Sequence, residues 1–314
     1  MNPITTLLKE GVVLGDGGYL IELERRGYVD SGSRREKVGT GKGSGQFTPE
    51  VAIENPDALR ELHREFLQAG SQVLQALTFF ATREKLNRAG YGAQTEAINQ
   101  AAVRIAREVA GDQALVAGSV SRTQLIERDG LGALGHAKDL LTEQIRLLKD
   151  AGVDFLILET FFRLDEMRAA LEAANASGLP SVATLSFRPL ISKCSDDRTP
   201  AECARVLADQ GAIAVGANCE QEPSRMLPLL REMRTATKIP IAAQPAAFRT
   251  TNECHCFTRQ PAFPDDLETI QVSRKDFVEF GRIARDEGIG YVGGCCGCNA
   301  AYIRALADGL KARP

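Results

Sequence analysis

The chain has 314 residues, of which 44% are hydrophobic, and its formal net charge at pH 7 is −3. This length is enough for a large core in one α/β domain or in two small ones. The slightly acidic charge gives no sign of a nucleic acid or an anionic membrane as partner, and no run of about 18 apolar residues predicts a membrane-spanning helix.

Strand-like and helix-like segments alternate along the whole chain. Eight short apolar segments, rich in Val, Ile and Leu, are typical of strands that are buried on both faces of a parallel sheet. The predicted strands are 11–15, 73–78, 114–118, 153–158, 181–185, 213–217, 239–243 and 290–293.

Helical patterns fill the gaps between these strands. Asn55 and Thr199, each followed by proline, are typical N-caps, and Gly70 and Gly152 are typical helix ends. Eight strand–helix units at this length predict a (β/α)8 TIM barrel in a single domain spanning 1–314, with a doubly wound open sheet as the alternative. The predicted helices include 55–69, 94–110, 136–151, 164–177 and 200–210.

Two segments interrupt this alternation. Residues 31–46 are rich in Gly, Ser, Lys and Arg and lack periodicity, so they are predicted to form a mobile insertion. The insertion follows the first strand and could close over a substrate, although a solvated loop without function is an alternative. Residues 248–272 contain Cys254, His255 and Cys256, whose spacing is too tight for a usual structural zinc site and indicates a loop.

The sequence contains eight cysteines. Its first residues lack the basic and apolar segments of a secretory signal, so the cysteines are expected to be reduced thiols in a cytoplasmic protein. Cys194 and Cys203 have no partner signal and are interpreted as buried or bystander thiols. His63 and His136 are predicted to be surface or satisfied core residues rather than ligands.

Three cysteines lie at the ends of predicted strands. Cys219 closes the segment VGANC after the sixth strand, while Cys295 and Cys296 lie in GGCCG after the eighth. If these strands lie side by side in one barrel, three thiolates meet at one point. Three sulfurs with an open fourth position are typical of a catalytic zinc site that activates another thiol. The alternatives are buried packing cysteines, a redox-active pair or cysteine nucleophiles without a metal.

Two carboxylates also lie at predicted strand ends, where a TIM barrel carries its chemistry. Asp16 follows the first strand in GDGG, and Glu159 ends the apolar run of the fourth. Both are expected to be ionised near neutral pH unless strongly desolvated, so together they suit a cationic amino group. A turn-capping Asp and a partnered structural Glu are the alternatives.

With these motifs, the chain resembles the zinc-dependent homocysteine S-methyltransferases, most closely their betaine-dependent branch. The resemblance covers nearly the whole chain and implies a (β/α)8 barrel with zinc on Cys219, Cys295 and Cys296. It runs through the motifs GDGG (15–18), LHREFLQAGS (62–71), LTFFA (77–81), LE (158–159), GANC (216–219), QP (244–245) and GGCCG (293–297).

The resemblance also implies the substrate contacts and the reaction. Asp16 and Glu159 would hold the amino group of homocysteine, backbone amides near Phe79 and Phe80 would hold its carboxylate, and Asn218 is a further expected contact. The zinc-bound homocysteine thiolate would take a methyl group from an onium donor, glycine betaine first, giving methionine. The alternatives are a sulfonium donor, S-methylmethionine or dimethylsulfoniopropionate, and a non-catalytic zinc or redox-sensing barrel.

The expected donor site departs from the family pattern. Betaine enzymes of this family hold the quaternary ammonium with a tryptophan and tyrosines, but this chain has no tryptophan. Phe47 stands in the place of the tryptophan, and Phe80 and Thr160 stand in the places of tyrosines. A smaller cage that includes Phe47, Phe80 and Phe161 is therefore expected. A homo-oligomer is left open, because the chain ends after the eighth helix without the extension that assembles the betaine enzymes.

Overall fold

The computed structural model of the protein describes residues 2–29, 49–187 and 192–311. The predicted insertion at 31–46 and Phe47 lie outside the described residues. In these three ranges, no helix combines the length and the apolar character that crossing a membrane requires.

Eight parallel strands form one sheet in the order β1-β8-β7-β6-β5-β4-β3-β2. The edge strands β1 and β2 are joined by Gln72, whose backbone N–H donates to Leu14 O over 2.7 Å and whose Oε1 accepts from Leu14 N over 3.0 Å. This closure confirms the (β/α)8 barrel and excludes the open sheet. The strands are β1 (Val13–Leu14), β2 (Val73–Ala76), β3 (Leu115–Ser121), β4 (Phe155–Phe161), β5 (Ser181–Leu185), β6 (Ala214–Asn218), β7 (Ile241–Gln244) and β8 (Tyr291–Val292).

The helices that follow the strands lie outside the barrel. The remaining helix, α1, precedes the first strand. The five helices predicted above are confirmed, with ends that differ by no more than about two residues. Thr199 caps its helix by accepting from Glu202 N over 3.1 Å, whereas Asn55 occupies an N-cap position without a side-chain capping bond. The helices are α1 (Pro3–Glu10), α2 (Leu20–Arg25), α3 (Val51–Glu54), α4 (Pro56–Ala69), α5 (Arg83–Ala89), α6 (Thr95–Ala110), α7 (Leu125–Asp129), α8 (Leu134–Asp150), α9 (Leu164–Ser177), α10 (Pro200–Asp209), α11 (Pro223–Ala236), α12 (Arg274–Asp286) and α13 (Ala300–Lys311).

The fifth strand has its predicted bounds, whereas the bounds of the other seven strands differ from the predicted ones. The fourth strand begins two residues later than predicted and continues through Glu159 to Phe161, so Glu159 lies inside β4 and pairs with Ser121 of β3. The register shifts between Leu158 and Phe161, where Thr160 has a positive φ of 58°. An apolar pattern in the sequence indicates which residues are buried, not which residues form the hydrogen bonds between strands. For this reason the predicted fourth strand ended before the actual one.

The interior of the barrel is filled at the end where the strands begin. Ile4 of α1 is fully buried and packs in one cluster with side chains of the strands, among them Phe155, Ile157 and Tyr291. A second, larger cluster fills the space between the strands and the outer helices. Since the lower end of the barrel is packed, the carboxyl ends of the strands are left to form the site.

Candidate active site

The three cysteines reach one point, although the strands that carry them are not neighbours. The sixth and eighth strands do not lie side by side, because β7 lies between them, so the condition named in the sequence analysis is not needed for the sulfurs to meet. The end of β7 instead holds both cysteine segments. Cys219 N donates to Gln244 O and Cys295 N donates to Pro245 O, each over 2.9 Å. Both segments therefore bend over β7 toward the barrel axis.

The sulfur atoms of this cluster suit a shared metal ion. The Sγ atoms of Cys219, Cys295 and Cys296 all lie within 4.8 Å of one another, and those of Cys219 and Cys296 are 3.6 Å apart. An ion bound tetrahedrally to sulfur at about 2.3 Å keeps its sulfur ligands about 3.8 Å apart. In the described ranges, no other group of three or more His, Cys, Asp or Glu side chains has such a geometry.

Backbone strain places Cys219 in this cluster. Cys219 and Glu220 have consecutive positive φ angles of 61° and 60°. A non-glycine residue in that conformation costs roughly 1–3 kcal/mol and persists only where the surrounding structure imposes it. Here Gln221 N donates to Cys219 O over 2.7 Å, and Phe257 N donates to Glu220 O over 3.1 Å. Such strain is characteristic of functional sites.

Close backbone approach explains the glycines around the other two cysteines. A Cβ atom on Gly18 would lie 2.4 Å from Cys295 O, and one on Gly294 would lie 2.4 Å from the Cβ of Cys298. Gly297 has a φ of 79°, which lets the chain turn directly after Cys296. The glycine motifs at 15–18 and 293–297 thus pack closely against each other.

The thiols of the cluster hold their protons tightly. The hydrogen bond with Cys295, together with burial, raises the pKa of the Cys219 thiol well above its usual range. The hydrogen bond with Cys219, together with burial, likewise raises the pKa of Cys296. A bound metal ion deprotonates its thiol ligands outright, so an ion held by this cluster would convert its thiols into thiolates.

Asp16 is fully buried and is surrounded by hydrogen-bond donors. The backbone N–H of Gln75 donates to its Oδ2 over 2.6 Å, and Nε2 of Gln75 donates to its Oδ1 over 3.0 Å. The Tyr19 hydroxyl donates to the same Oδ2. Burial raises the pKa of Asp16 to about 6 despite these donors.

Glu159 is also buried, and it lies in the wall of the cavity that the three cysteines line. Ser119 Oγ donates to its Oε1 over 2.5 Å. Burial raises the pKa of Glu159 to about 7, and the charge of Asp16 adds to the effect. Both carboxylates therefore meet the exception named in the sequence analysis, since both are strongly desolvated, and a bound cation would favour their ionised form.

Asn218 and Thr160 lie behind Glu159 and support the irregular end of β4. Asn218 Oδ1 accepts from Thr160 N over 2.8 Å, and its Nδ2 donates to Thr160 Oγ1 over 2.7 Å. The same Nδ2 also lies 3.4 Å from Glu159 Oε2. This arrangement fixes the direction of the Glu159 side chain.

Two phenylalanine faces are already in contact with basic side chains of the protein. Lys85 Nζ lies 4.0 Å from the ring centre of Phe80, and the guanidinium of Arg122 lies 4.0 Å from that of Phe162. Phe79 lines the cavity and packs edge-on against Phe80. Phe161 is fully buried in the core and does not form part of the aromatic cage in which it was expected.

Other side chains identified in the sequence lie apart from this cavity. His136 is exposed, whereas His63 is fully buried beside Tyr19. His255 contacts Arg225 and is not part of a metal-binding group. Cys194 and Cys203 are buried, as predicted, and their Sγ atoms are 3.4 Å apart, a contact that the sequence did not indicate.

Several side chains of the site were missed in the sequence. Gln75 and Ser119 are polar residues inside apolar strands, and that interruption was the signal that could have identified them. Tyr19 follows Asp16 by three residues and lines the cavity. Lys85 gave no signal, because a lysine on a helix normally indicates an exposed surface.

Comparison with known proteins identifies the family. The model of the homocysteine S-methyltransferase family matches residues 13–310. The chain belongs to this family of methyltransferases. It is 39% identical over 311 residues to betaine–homocysteine S-methyltransferase 1 of Bos taurus, a match that covers 95% of this chain and 72% of that protein.

Two further matches describe the family's range. An S-methylmethionine–homocysteine S-methyltransferase of Pongo abelii is 37% identical over 307 residues, covering 95% of this chain and 78% of that protein. The metallated form of the homocysteine methyltransferase MmuM from Escherichia coli has a TM-score of 0.73 at 23% identity, covering 97% and 99% of the two chains. At that identity the likeness concerns the fold alone.

Proposed function

We propose that this homocysteine S-methyltransferase transfers a methyl group from an onium donor, glycine betaine first, to the thiol of homocysteine and releases methionine. The observation that carries the proposal is the meeting of three cysteine sulfurs and the buried carboxylate Glu159 in one cavity. Three sulfurs suit an ion that binds a further thiol, and buried carboxylates suit an ammonium group. Homocysteine carries both groups.

Zinc is the proposed metal, held by Cys219, Cys295 and Cys296. When bound there, it supplies the positive charge that keeps a fourth sulfur ligand deprotonated at neutral pH. None of the eight cysteines, all within the described ranges, is in a disulfide, which supports a reducing, cytoplasmic setting.

The residues of the chain itself position the two reactants. Asp16 and Glu159 accept hydrogen bonds from the ammonium group of homocysteine, which offsets the desolvation of both carboxylates. Backbone amides near Phe79 and Phe80 hold the carboxylate. The leaving group is a neutral amine or sulfide, so the donor needs no general acid, and positioning can lower the barrier by up to about 7–11 kcal/mol.

A sulfonium donor is the second candidate. A quaternary ammonium is best held by free aromatic faces, but one face of Phe80 is occupied by Lys85. Thr160, in the place of a family tyrosine, has no ring to offer. S-methylmethionine or dimethylsulfoniopropionate would depend less on such a cage, while Phe47 lies outside the described residues.

The test combines reduced, zinc-loaded protein and L-homocysteine with each of three donors, and it measures methionine. We expect methionine from at least one of glycine betaine, S-methylmethionine and dimethylsulfoniopropionate, with about one zinc per chain. Cys296→Ala should lose both zinc and turnover, while Cys254→Ala, in the loop after β7, should retain both. Full zinc occupancy without methionine from any donor would favour the non-catalytic barrel instead.

A further inference from the structure

A hydrogen-bonded chain joins Asp16 to Tyr19, which lines the cavity, and to His63, which lies behind Tyr19. The Tyr19 hydroxyl donates to Asp16 Oδ2 and lies 2.8 Å from Nδ1 of His63, a residue of α4. His63 is fully buried and does not line the cavity. The Tyr19 ring packs edge-on against His63 and Phe66, with ring centres 5.0 and 5.1 Å apart, so the chain is rigidly held.

Counting protons fixes the direction of this chain. Burial lowers the pKa of His63 to about 3, so its ring is neutral and carries one proton. If that proton were on Nε2, the lone pair of Nδ1 and the Asp16 carboxylate would compete for the single hydroxyl proton of Tyr19. With the proton on Nδ1, His63 donates to Tyr19 and Tyr19 donates to Asp16. Nε2, which has no hydrogen-bond partner in the structure, is then a bare lone pair.

The hydrogen bond that Tyr19 donates is important for Asp16 because of the groups that surround this carboxylate. The titratable groups that face it are Tyr19, the buried Tyr291, Glu159 and, through Tyr19, His63. Each of these is neutral or negative, so the ionised carboxylate depends on hydrogen-bond donors until a cation binds. Donors to a buried carboxylate favour its charged form.

We propose that His63 is a positioning residue for homocysteine: by donating from Nδ1, it commits the Tyr19 hydroxyl to Asp16 and keeps that carboxylate ready for the substrate ammonium group. The inference rests on the proposed function, which assigns Asp16 to that group. It adds a residue of α4 that acts through Tyr19 and does not touch the substrate.

The test measures the Kd of L-homocysteine for zinc-loaded protein by calorimetry between pH 6 and pH 8.5, so that no donor is needed. Tyr19→Phe and His63→Leu should each raise the Kd about fivefold at pH 6 and less than about twofold at pH 8.5. This is the pattern of a carboxyl group whose pKa has moved upward. His63→Asn, whose amide nitrogen can take the place of Nδ1, should restore most of the affinity at pH 6. His136→Leu is the matched control and should leave the Kd unchanged at every pH.

The outcomes separate this inference from the proposed function. An equal rise in Kd at all pH values, or no recovery with His63→Asn, would mean that His63 only packs the core and would overturn the inference. Asp16→Asn must also be measured. If it leaves the Kd unchanged, the assignment of Asp16 in the proposed function is wrong. If Asp16→Asn weakens binding while Tyr19→Phe and His63→Leu do not, the inference alone fails. Should His63→Leu not fold, His63→Met, which also lacks a hydrogen-bond donor, takes its place in the comparison with His63→Asn.

Discussion

The most unusual residues of this site are two carboxylates that are buried without a positive partner among the described side chains that they contact. Asp16 is fully buried and Glu159 is 6% exposed, and both depend on neutral hydrogen-bond donors. Burial raises the pKa of Asp16 from 3.8 to about 6 and that of Glu159 from 4.5 to about 7. Both groups are therefore costly to ionise on their own, and the ammonium group proposed to bind there would offset that cost.

This arrangement predicts how stability depends on pH. In the unfolded chain both groups lose their protons near pH 4, whereas the native protein keeps them to higher pH. The native state thus binds more protons in this window, and the free energy of unfolding should fall as the pH rises from about 4 to about 7. For Asp16 the effect is roughly 3 kcal/mol. Asp16→Asn should flatten the slope, as measured by denaturant unfolding without homocysteine.

The exposed Asp57 of α4 provides the control for this experiment. Asp57→Asn should keep the slope of the wild-type protein, because the Asp57 side chain is 95% exposed. A wild-type slope in Asp16→Asn as well would show that Asp16 does not carry the desolvation described here.

At the scale of elements, the irregular end of β4 determines where Glu159 points. The register shift after Leu158 and the positive φ of Thr160 turn the strand end, and the side chain of Asn218 at the end of β6 holds that turn. Side-chain hydrogen bonds thus link β6 to β4, which β5 separates, at the point where the regular ladder stops. An irregular strand end of this kind is common beside active sites.

Removing this support should weaken both stability and substrate binding. Asn218→Ala leaves Thr160 N, Thr160 Oγ1 and Glu159 without their partner, so we expect a loss of about 2–3 kcal/mol in the free energy of unfolding. The Kd of homocysteine should rise several-fold, because Glu159 loses its fixed direction. Asn175→Ala, which breaks one exposed hydrogen bond on α9, should cost less than about 1 kcal/mol and leave the Kd unchanged. Equal effects of the two substitutions would contradict this account of β4.

At the scale of the whole molecule, the repeating pattern of apolar runs was enough to predict the barrel and its eight strands. The order of strands around the barrel follows from that topology and places β7 between the two strands that precede the cysteines. Sequence spacing indicates which residues end a strand. It does not indicate how far the following backbone bends, and here the bend depends on the strained conformation of Cys219 and on Gly293 and Gly294.

The same limit applies to the surroundings of the site. Asp16 and Glu159 were identified from their places at strand ends, but their acidity depends on burial, which only the packed structure reveals. Tyr19 and His63 are 44 residues apart, and nothing in the sequence links them. Long-range contacts between single polar side chains leave no periodic signal, whereas strands and helices do.

The most direct test is X-ray absorption at the zinc edge of reduced, zinc-loaded protein, recorded with and without L-homocysteine. The account predicts three sulfur ligands at about 2.3 Å together with one lighter ligand, and four sulfur ligands once homocysteine is added. Fewer than three sulfur ligands in the starting protein, or a spectrum that homocysteine leaves unchanged, would contradict the claim that these cysteines hold an ion with one position open for the substrate sulfur.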